Sequence, residues 1–156
     1  VWLALARRRS GQPEPRLRAG TPFAVNMKIR PPHANSPGPN TDLVKGLVDG
    51  VVSAHQAHTD RSTSGEAAAR LAQFLPADPD EIETLLLEDR WSVLGAVPRL
   101  VYLRGAAVQW NPADDWCAAG ELLTAAPEPT GTGWAISGQI VEPSGRPRRS
   151  TINPEG

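Results

Sequence analysis

The chain is poor in cysteine and has no long apolar run. Its single cysteine, Cys117, permits no internal disulfide and no cysteine-based zinc site, which is typical of a reducing cytoplasm. No apolar stretch approaches the roughly 20 residues of a membrane span. We therefore expect a cytoplasmic domain. The chain begins at Val1, within a predicted element and without Met, which indicates that an N-terminal piece is missing.

A strong net charge is also lacking. The formal net charge is −1, so bulk charge argues neither for nor against a nucleic-acid partner. The distribution is uneven, because the first thirty residues and the tail are basic while the middle is acidic. Such basic segments either border a polyanion site or are solvated tails. The early basic residues are Arg7, Arg8, Arg9, Arg16, Arg18, Lys28 and Arg30, and the tail carries Arg146, Arg148 and Arg149.

The common catalytic motifs are missing as well. We find no Gly-x-Ser-x-Gly, no P-loop, no Gly-x-Gly-x-x-Gly and no Cys-x-x-Cys. His55 and His58 have a spacing that can bind zinc, but no third ligand accompanies them. Any chemistry is then left to carboxylates.

The first half of the chain predicts a strand and a helix. Apolar and polar residues alternate over 23–30, which predicts a strand with one buried face. A proline-rich loop over 31–39 follows. A helix then begins at Asn40 or Thr41 and runs to about His58.

The second half predicts two more helices and a β pair. Ser64 is expected to cap a helix over 65–75, and Asp78-Pro79 is a strong start signal for another. Residues 100–110 are predicted to be a strand, and 116–125 a strand or a short helix. A last strand begins at Trp134. The predicted fold is one α+β domain over 1–143, with a small mixed β-sheet and helices packed on it, followed by a flexible basic tail over 144–156.

A charged stripe marks the first long helix. At 100° per residue, Asp42, Lys45 and Asp49 share one face, flanked by Gly46 and Gly50. Glycine costs about 1 kcal/mol against alanine inside a helix. One interpretation is that a bulky group approaches the backbone there. The alternative is a solvated face with an i,i+4 pair.

Two carboxylate pairs are candidate magnesium ligands. They are Asp42 with Asp49, and Asp114 with Asp115. Mg²⁺ is a hard cation that prefers carboxylate and water oxygens, and it can activate water on a phosphodiester. The alternative for Asp114-Asp115 is an ordinary turn after Asn-Pro.

In order, these pieces resemble the RusA-type Holliday-junction resolvases. The strand over 23–30, the segment Lys45-Gly46-Leu47-Val48-Asp49, the Asp114-Asp115 pair and the closing β pair are similar to that family's Lys-x-x-x-Asp helix, Asp-Asp turn and flanking strands. The chain departs from the family in two ways. Pro39 and Thr41 stand at two family aspartates, and a helical insertion of about 57–100 precedes the Asp-Asp turn.

The resemblance implies a Mg²⁺- or Mn²⁺-dependent endonuclease that nicks branched DNA as a homodimer. It implies Asp42, Asp49, Asp114 and Asp115 as metal ligands. The implied catalytic residues are Asp42, Asp49, Asp115 and Lys45. Among them, Lys45 would bind a phosphate or offset the charge of the transition state. The backbone contacts would come from Arg7, Arg8, Arg9, Lys28, Arg30 and Lys45.

Two alternatives remain open. One is a catalytically degenerate module of the same fold that binds nucleic acid or protein. The other abandons the family for a protein-interaction module. Trp110 and Trp116 are core residues or, if exposed, a stacking pair for unpaired bases.

Overall fold

The computed structural model describes residues 1–18, 20–33, 36, 41–127 and 133–143, and these contain four helices and seven strands. The predicted α+β class is confirmed. Within the described residues, no helix is both long and apolar enough to cross a membrane. The predicted tail over 144–156, and Pro39 and Asn40, lie outside the described residues. The elements are α1 (Trp2–Arg7), β1 (Phe23–Arg30), α2 (Thr41–Ala54), β2 (Ala57–His58), α3 (Arg61–Leu71), α4 (Pro79–Leu87), β3 (Ala96–Val97), β4 (Val101–Arg104), β5 (Ala107–Trp110), β6 (Cys117–Thr124) and β7 (Ala135–Val141).

The chain divides into two compact units. Unit 1 comprises Val1–Ala19 and Val44–Asp114, and unit 2 comprises Gly20–Leu43 and Asp115–Gly156. The stretch 57–100, which the family resemblance marks as an insertion, falls wholly within unit 1.

Unit 2 is built on a three-stranded mixed sheet in the order β6-β1-β7. The central strand, β1, runs parallel to β6 and antiparallel to β7. Its alternation is as predicted, because Val25, Met27 and Ile29 are buried while Lys28 is exposed. Residues 117–124, for which strand and helix were both open, form a strand.

Unit 1 has a helical core packed against a β-hairpin. Helix α3 packs on α4 and on the β4–β5 hairpin. The indole of Trp110 lies 5.1 Å from that of Trp2, between ring centroids, within this core. Trp110 is therefore a packing residue rather than half of an exposed stacking pair with Trp116. The core side chains are Trp2, Leu3, Ala6, Ala54, Ala67, Ala68, Leu71, Ile82, Leu86, Leu100 and Val101.

Two predicted helix boundaries are wrong. Helix α2 ends at Ala54 rather than near His58, because β2 pairs in parallel with β3 immediately afterwards. Helix α3 begins at Arg61 and not at Gly65. Its cap is Asp60, whose carboxylate accepts from the Ser62 amide at 3.1 Å. The predicted cap, Ser64, lies inside the helix.

Residues 100–110 form a hairpin rather than one strand. Strand β4 pairs antiparallel with β5, and Gly105 at the turn has φ of 60°, a conformation that glycine adopts without steric cost. The start of α4 is as predicted. The Asp78 carboxylate accepts from the Glu81 amide at 2.8 Å, and Pro79 occupies the first turn.

Candidate functional site

The charged stripe of α2 contains an ion pair. The Lys45 ammonium donates to a carboxylate oxygen of Asp49 at 2.8 Å, one helical turn away. The Lys45 side chain is 72% exposed, whereas that of Asp49 is only 25% exposed. The lysine therefore faces solvent above a carboxylate that the fold partly covers.

A buried glutamine joins α2 to the turn that precedes β6. Gln56, which is 1% exposed, accepts from the Ala113 amide at 3.1 Å and donates to the Ala113 carbonyl at 3.0 Å. The two residues are 57 positions apart in the chain. Both hydrogen-bonding groups of the Ala113 backbone are thus held, which fixes the turn beside the helix.

Asp114 follows the clamped residue, and its charge acts on the lysine of the ion pair. The pKa of Lys45 is raised, first by its hydrogen bond to Asp49, then by the charge of Asp49 and by that of Asp114. Both negative charges act on one ammonium group. We call Lys45, Asp49 and Asp114 the α2 site. All three belong to unit 1.

The other two predicted aspartates fall in unit 2. Asp42 is an exposed residue of the first turn of α2, where a negative charge favours the helix dipole. Asp115 is an exposed residue just before β6. Of the predicted set, Lys45 and Asp49 are in contact, and the charge of Asp114 acts on Lys45.

The two glycines of α2 have different surroundings. A Cβ on Gly50 would lie 2.8 Å from the Cβ of Val1, so a side chain of this same chain accounts for that glycine. A Cβ on Gly46 would meet nothing within 4 Å. The predicted close approach of a bulky group is therefore intramolecular at Gly50, and the backbone at Gly46 is open.

The α2 site contains two of the carboxylates that were predicted to bind magnesium. Across the described ranges, no group of three or more His, Cys, Asp or Glu side chains is arranged to hold a metal. Mg²⁺, however, is commonly bound by one or two carboxylates together with waters and substrate phosphates. Asp49 and Asp114 supply two carboxylates, and Lys45 would have to release Asp49 for the ion to bind.

Two of the arginines predicted to bind DNA have structural partners. Arg7 donates to both carboxylate oxygens of Glu81, at 2.6 and 2.8 Å, and this hydrogen bond raises its pKa. Arg9 donates to the carbonyls of Ala54 and Leu85, close to the C-terminal ends of two helices. Burial lowers the pKa of Arg9. Both guanidinium groups are engaged by groups of unit 1.

The remaining predicted DNA contacts include exposed side chains. Arg8 is exposed at the end of α1. Lys28 and Arg30 lie on the same face of β1, opposite its buried residues, and Lys28 is exposed. Contact of these residues with the phosphate backbone stays a prediction.

The two histidines that follow α2, His55 and His58, make hydrogen bonds to backbone groups. The Nδ1 of His58 accepts from the Val101 amide at 3.4 Å, so its Nε2 donates to the Asp60 carbonyl at 2.9 Å. His55 donates from Nδ1 to the Val51 carbonyl at 2.8 Å. Both rings are thereby oriented by backbone groups of unit 1.

Gln56, which holds the backbone of Ala113, was not among the residues predicted from the sequence. Its partner is a backbone amide and carbonyl, and backbone groups leave no trace in residue type. The one available signal is a polar side chain beyond the apolar end of α2, at a position that proves to be buried.

Comparison of the chain with protein-family models, with curated proteins and with solved structures found no match.

Proposed function

We propose that this chain is a divergent RusA-type protein that acts on branched DNA as a Mg²⁺- or Mn²⁺-dependent endonuclease. One observation carries the proposal. Lys45 and Asp49 form an ion pair at 2.8 Å, and Asp114, from the Asp-Asp turn that the resemblance treats as part of the same site, contributes by its charge to the raised pKa of Lys45. A chance resemblance along the sequence would not require this interaction.

Each residue of the α2 site has a role in such a reaction. Asp49 and Asp114 would hold the ion, and the ligand roles that the family pattern implies for Asp42 and Asp115 stay predictions. A bound Mg²⁺ supplies an activated water and offsets negative charge on the phosphate. Lys45, once released from Asp49, places its ammonium where a phosphate oxygen can accept a hydrogen bond. Such a preplaced cation stabilises charge that develops in the transition state.

The DNA backbone would also be held by cations other than Lys45. Arg8, Lys28 and Arg30 are the candidates, and such contacts weaken as salt rises. A four-way junction has two-fold symmetry, so two copies of the chain related by a two-fold axis are the natural stoichiometry.

Cleavage of a labelled four-way junction beside linear duplex tests this proposal. Wild type with Mg²⁺ or Mn²⁺ is expected to nick the junction selectively, and EDTA to abolish nicking. Asp49→Asn keeps the size of the side chain but removes its charge, so nicking should be lost. Glu66→Gln is the matched control, because Glu66 forms another i,i+4 ion pair in unit 1, with Arg70. Folded wild type that cuts with neither metal would refute the nuclease.

A second candidate is a module that binds branched DNA without cutting it. The specific observation in its favour is that Lys45 already neutralises Asp49 in the absence of a third ligand among the described residues. The same junction in a gel-shift assay distinguishes the two. Binding without nicking supports the module, whereas absence of binding points to a protein partner.

A further inference from the structure

The three-stranded sheet of unit 2 has an apolar face and a polar face. Val25, Met27 and Ile29 of the central strand β1 are buried on one side. Side chains alternate between the two faces of a strand, so Asn26 and Lys28 lie on the other side. Lys28 is exposed there, and Asn26 is half-buried. The polar face is therefore directed away from the buried side chains of β1.

Strand pairing places three polar side chains next to one another on this face. Asn26 pairs with Glu121 of β6 on one side and with Gln139 of β7 on the other. Paired residues of neighbouring strands share a face, and neighbouring strands are about 4.8 Å apart. We call Glu121, Asn26 and Gln139 the polar row. Glu121 is exposed, and the two amides are half-buried.

The polar row has no partners that the fold itself supplies. Across the part of the chain that the structure describes, no side-chain hydrogen bond or ion pair engages Glu121, Asn26 or Gln139. Each amide offers two donor hydrogens and one acceptor oxygen, and the carboxylate is an acceptor only. The row can therefore bind a ligand edge that carries donors beside an acceptor.

A cation and an apolar side chain lie next to the polar row. Lys28 pairs with Leu123 of β6 and with Ser137 of β7, two positions further along each strand. Residues two positions apart on one face of a strand are separated by about 6.7 Å. Lys28 and Leu123 are both exposed, and Arg30 follows on the same face. One nucleotide can therefore contact the polar row with its base and Lys28 with its phosphate.

We propose that the polar row binds the base of an unpaired adenine in single-stranded DNA, with Lys28 on an adjoining phosphate. Amides of Asn and Gln pair with adenine through its N6 amine and its N7 acceptor. The carboxylate of Glu121 accepts from the same amine, so it disfavours a base that has a carbonyl oxygen at that position. Leu123 supplies apolar surface beside the base.

A DNA strand fits this face better than a free nucleotide. Small-molecule sites are concave, whereas the polar row lies on a sheet face and ends at the exposed Glu121. Lys28 and Arg30 succeed one another along β1, as phosphates do along a strand. The face belongs to unit 2 and the α2 site to unit 1, so this binding does not depend on the proposed nicking activity.

Fluorescence anisotropy with two matched oligonucleotides tests the base contact. One is a labelled single-stranded dT oligonucleotide with adenines spaced along it. The other has hypoxanthine in place of each adenine, which exchanges the amine for a carbonyl oxygen. The full chain should bind the adenine oligonucleotide about tenfold more tightly, a discrimination typical of one bidentate base contact.

Glu121→Gln separates base recognition from charge. Its new amide can donate to the carbonyl oxygen of hypoxanthine, so the preference for adenine should largely disappear. Loss of a repulsive charge alone would strengthen both complexes equally and leave the affinity ratio unchanged. Thr124→Ala is the matched control and should keep the wild-type ratio, because Thr124 pairs with the buried Ile29 and lies on the other face of β6.

Lys28→Gln tests the phosphate contact. It should weaken both complexes by the same factor and lower the slope of log K against log salt by about 0.7, the value for one phosphate of a single strand. An unchanged slope would overturn the assignment of Lys28. AMP should not displace the oligonucleotide, and displacement at an equal adenine concentration would assign the face to a free nucleotide instead.

The inference is overturned if wild type binds neither oligonucleotide or binds both equally. It is also overturned if Glu121→Gln keeps the wild-type preference for adenine. Asp49→Asn should bind both single strands as wild type does, because Asp49 belongs to the α2 site of unit 1. Loss of nicking in that variant with unchanged strand binding distinguishes the two proposals.

Discussion

The side-chain amide of Gln56 holds both backbone groups of Ala113, with hydrogen bonds of 3.1 and 3.0 Å. The next residue, Asp114, contributes by its charge to the raised pKa of Lys45, which forms the ion pair with Asp49 in α2. A single buried side chain thus connects the two segments on which the proposed function depends.

Gln56→Met is expected to destabilise the protein and to weaken the α2 site. Methionine has a similar volume but cannot replace the two hydrogen bonds, so the loss should be about 1–3 kcal/mol. Urea unfolding measures it, with the exposed Gln73→Met as control. Equal stability of Gln56→Met and Gln73→Met would show that the clamp contributes nothing.

Arg9 and its neighbour Arg8 should contribute differently to the free energy of unfolding. Arg9→Met removes a partly buried guanidinium from the carbonyls of Ala54 and Leu85 and should cost about 1.5–3 kcal/mol in the free energy of unfolding. Arg8→Met, at an exposed position, should leave stability unchanged. Urea titration of both variants decides the matter, and a similar loss in both would contradict the assignment.

Acidification should destabilise the fold through His55. Burial lowers the pKa of His55, the charge of Arg9 lowers it further, and the hydrogen bond to Val51 offsets part of the shift. The unfolded chain then binds a proton near pH 6.5 while the folded chain does not. His55 therefore does not lower the free energy of unfolding above about pH 6.5, and it lowers that free energy progressively as the pH falls below this value. Urea midpoints measured from pH 7.5 to 5 should fall less steeply for His55→Gln than for wild type. If the urea midpoints of the two proteins fall in parallel, His55 is not the source of the acid sensitivity.

The salt dependence of junction binding should distinguish a basic side chain that is free to contact phosphate, such as Arg8, from one held in an ion pair, such as Arg7. Removing one phosphate contact lowers the slope of log K against log salt by about one. Arg8→Gln is expected to do so, whereas Arg7→Gln should not, because Arg7 is engaged by Glu81. A smaller slope in Arg7→Gln, with Arg8→Gln unchanged, would reverse the assignment.

Patterns carried by side-chain type were sufficient for much of the fold. The alternation over 23–30 predicted β1, and Asp78-Pro79 predicted the start of α4, because both depend on local chemistry. The pairing of β2 with β3 ended α2 earlier than its apolar pattern indicated, and this pairing joins residues far apart in sequence. The cap at Asp60 was missed because Ser64 has equally suitable chemistry, and tertiary packing selected between them.

The site was partly predictable for a related reason. Lys45 and Asp49 form a helical pair at fixed spacing, so the sequence predicted their contact. The position of Asp114 depends on Gln56, whose backbone partner has no sequence signature. The surroundings of the arginines could not be predicted, because composition does not distinguish an exposed Arg8 from a partly buried Arg9.

The most direct measurement is single-turnover nicking of a four-way junction in Mg²⁺ by Asp114→Asn beside wild type and Glu66→Gln. Asp114 is the residue that the fold, rather than local spacing, brings to α2. The account predicts a loss of at least about 100-fold for Asp114→Asn, a magnitude typical of removing a group that stabilises the transition state, and an unchanged rate for Glu66→Gln. Nicking by Asp114→Asn at the wild-type rate would contradict the assignment of the α2 site.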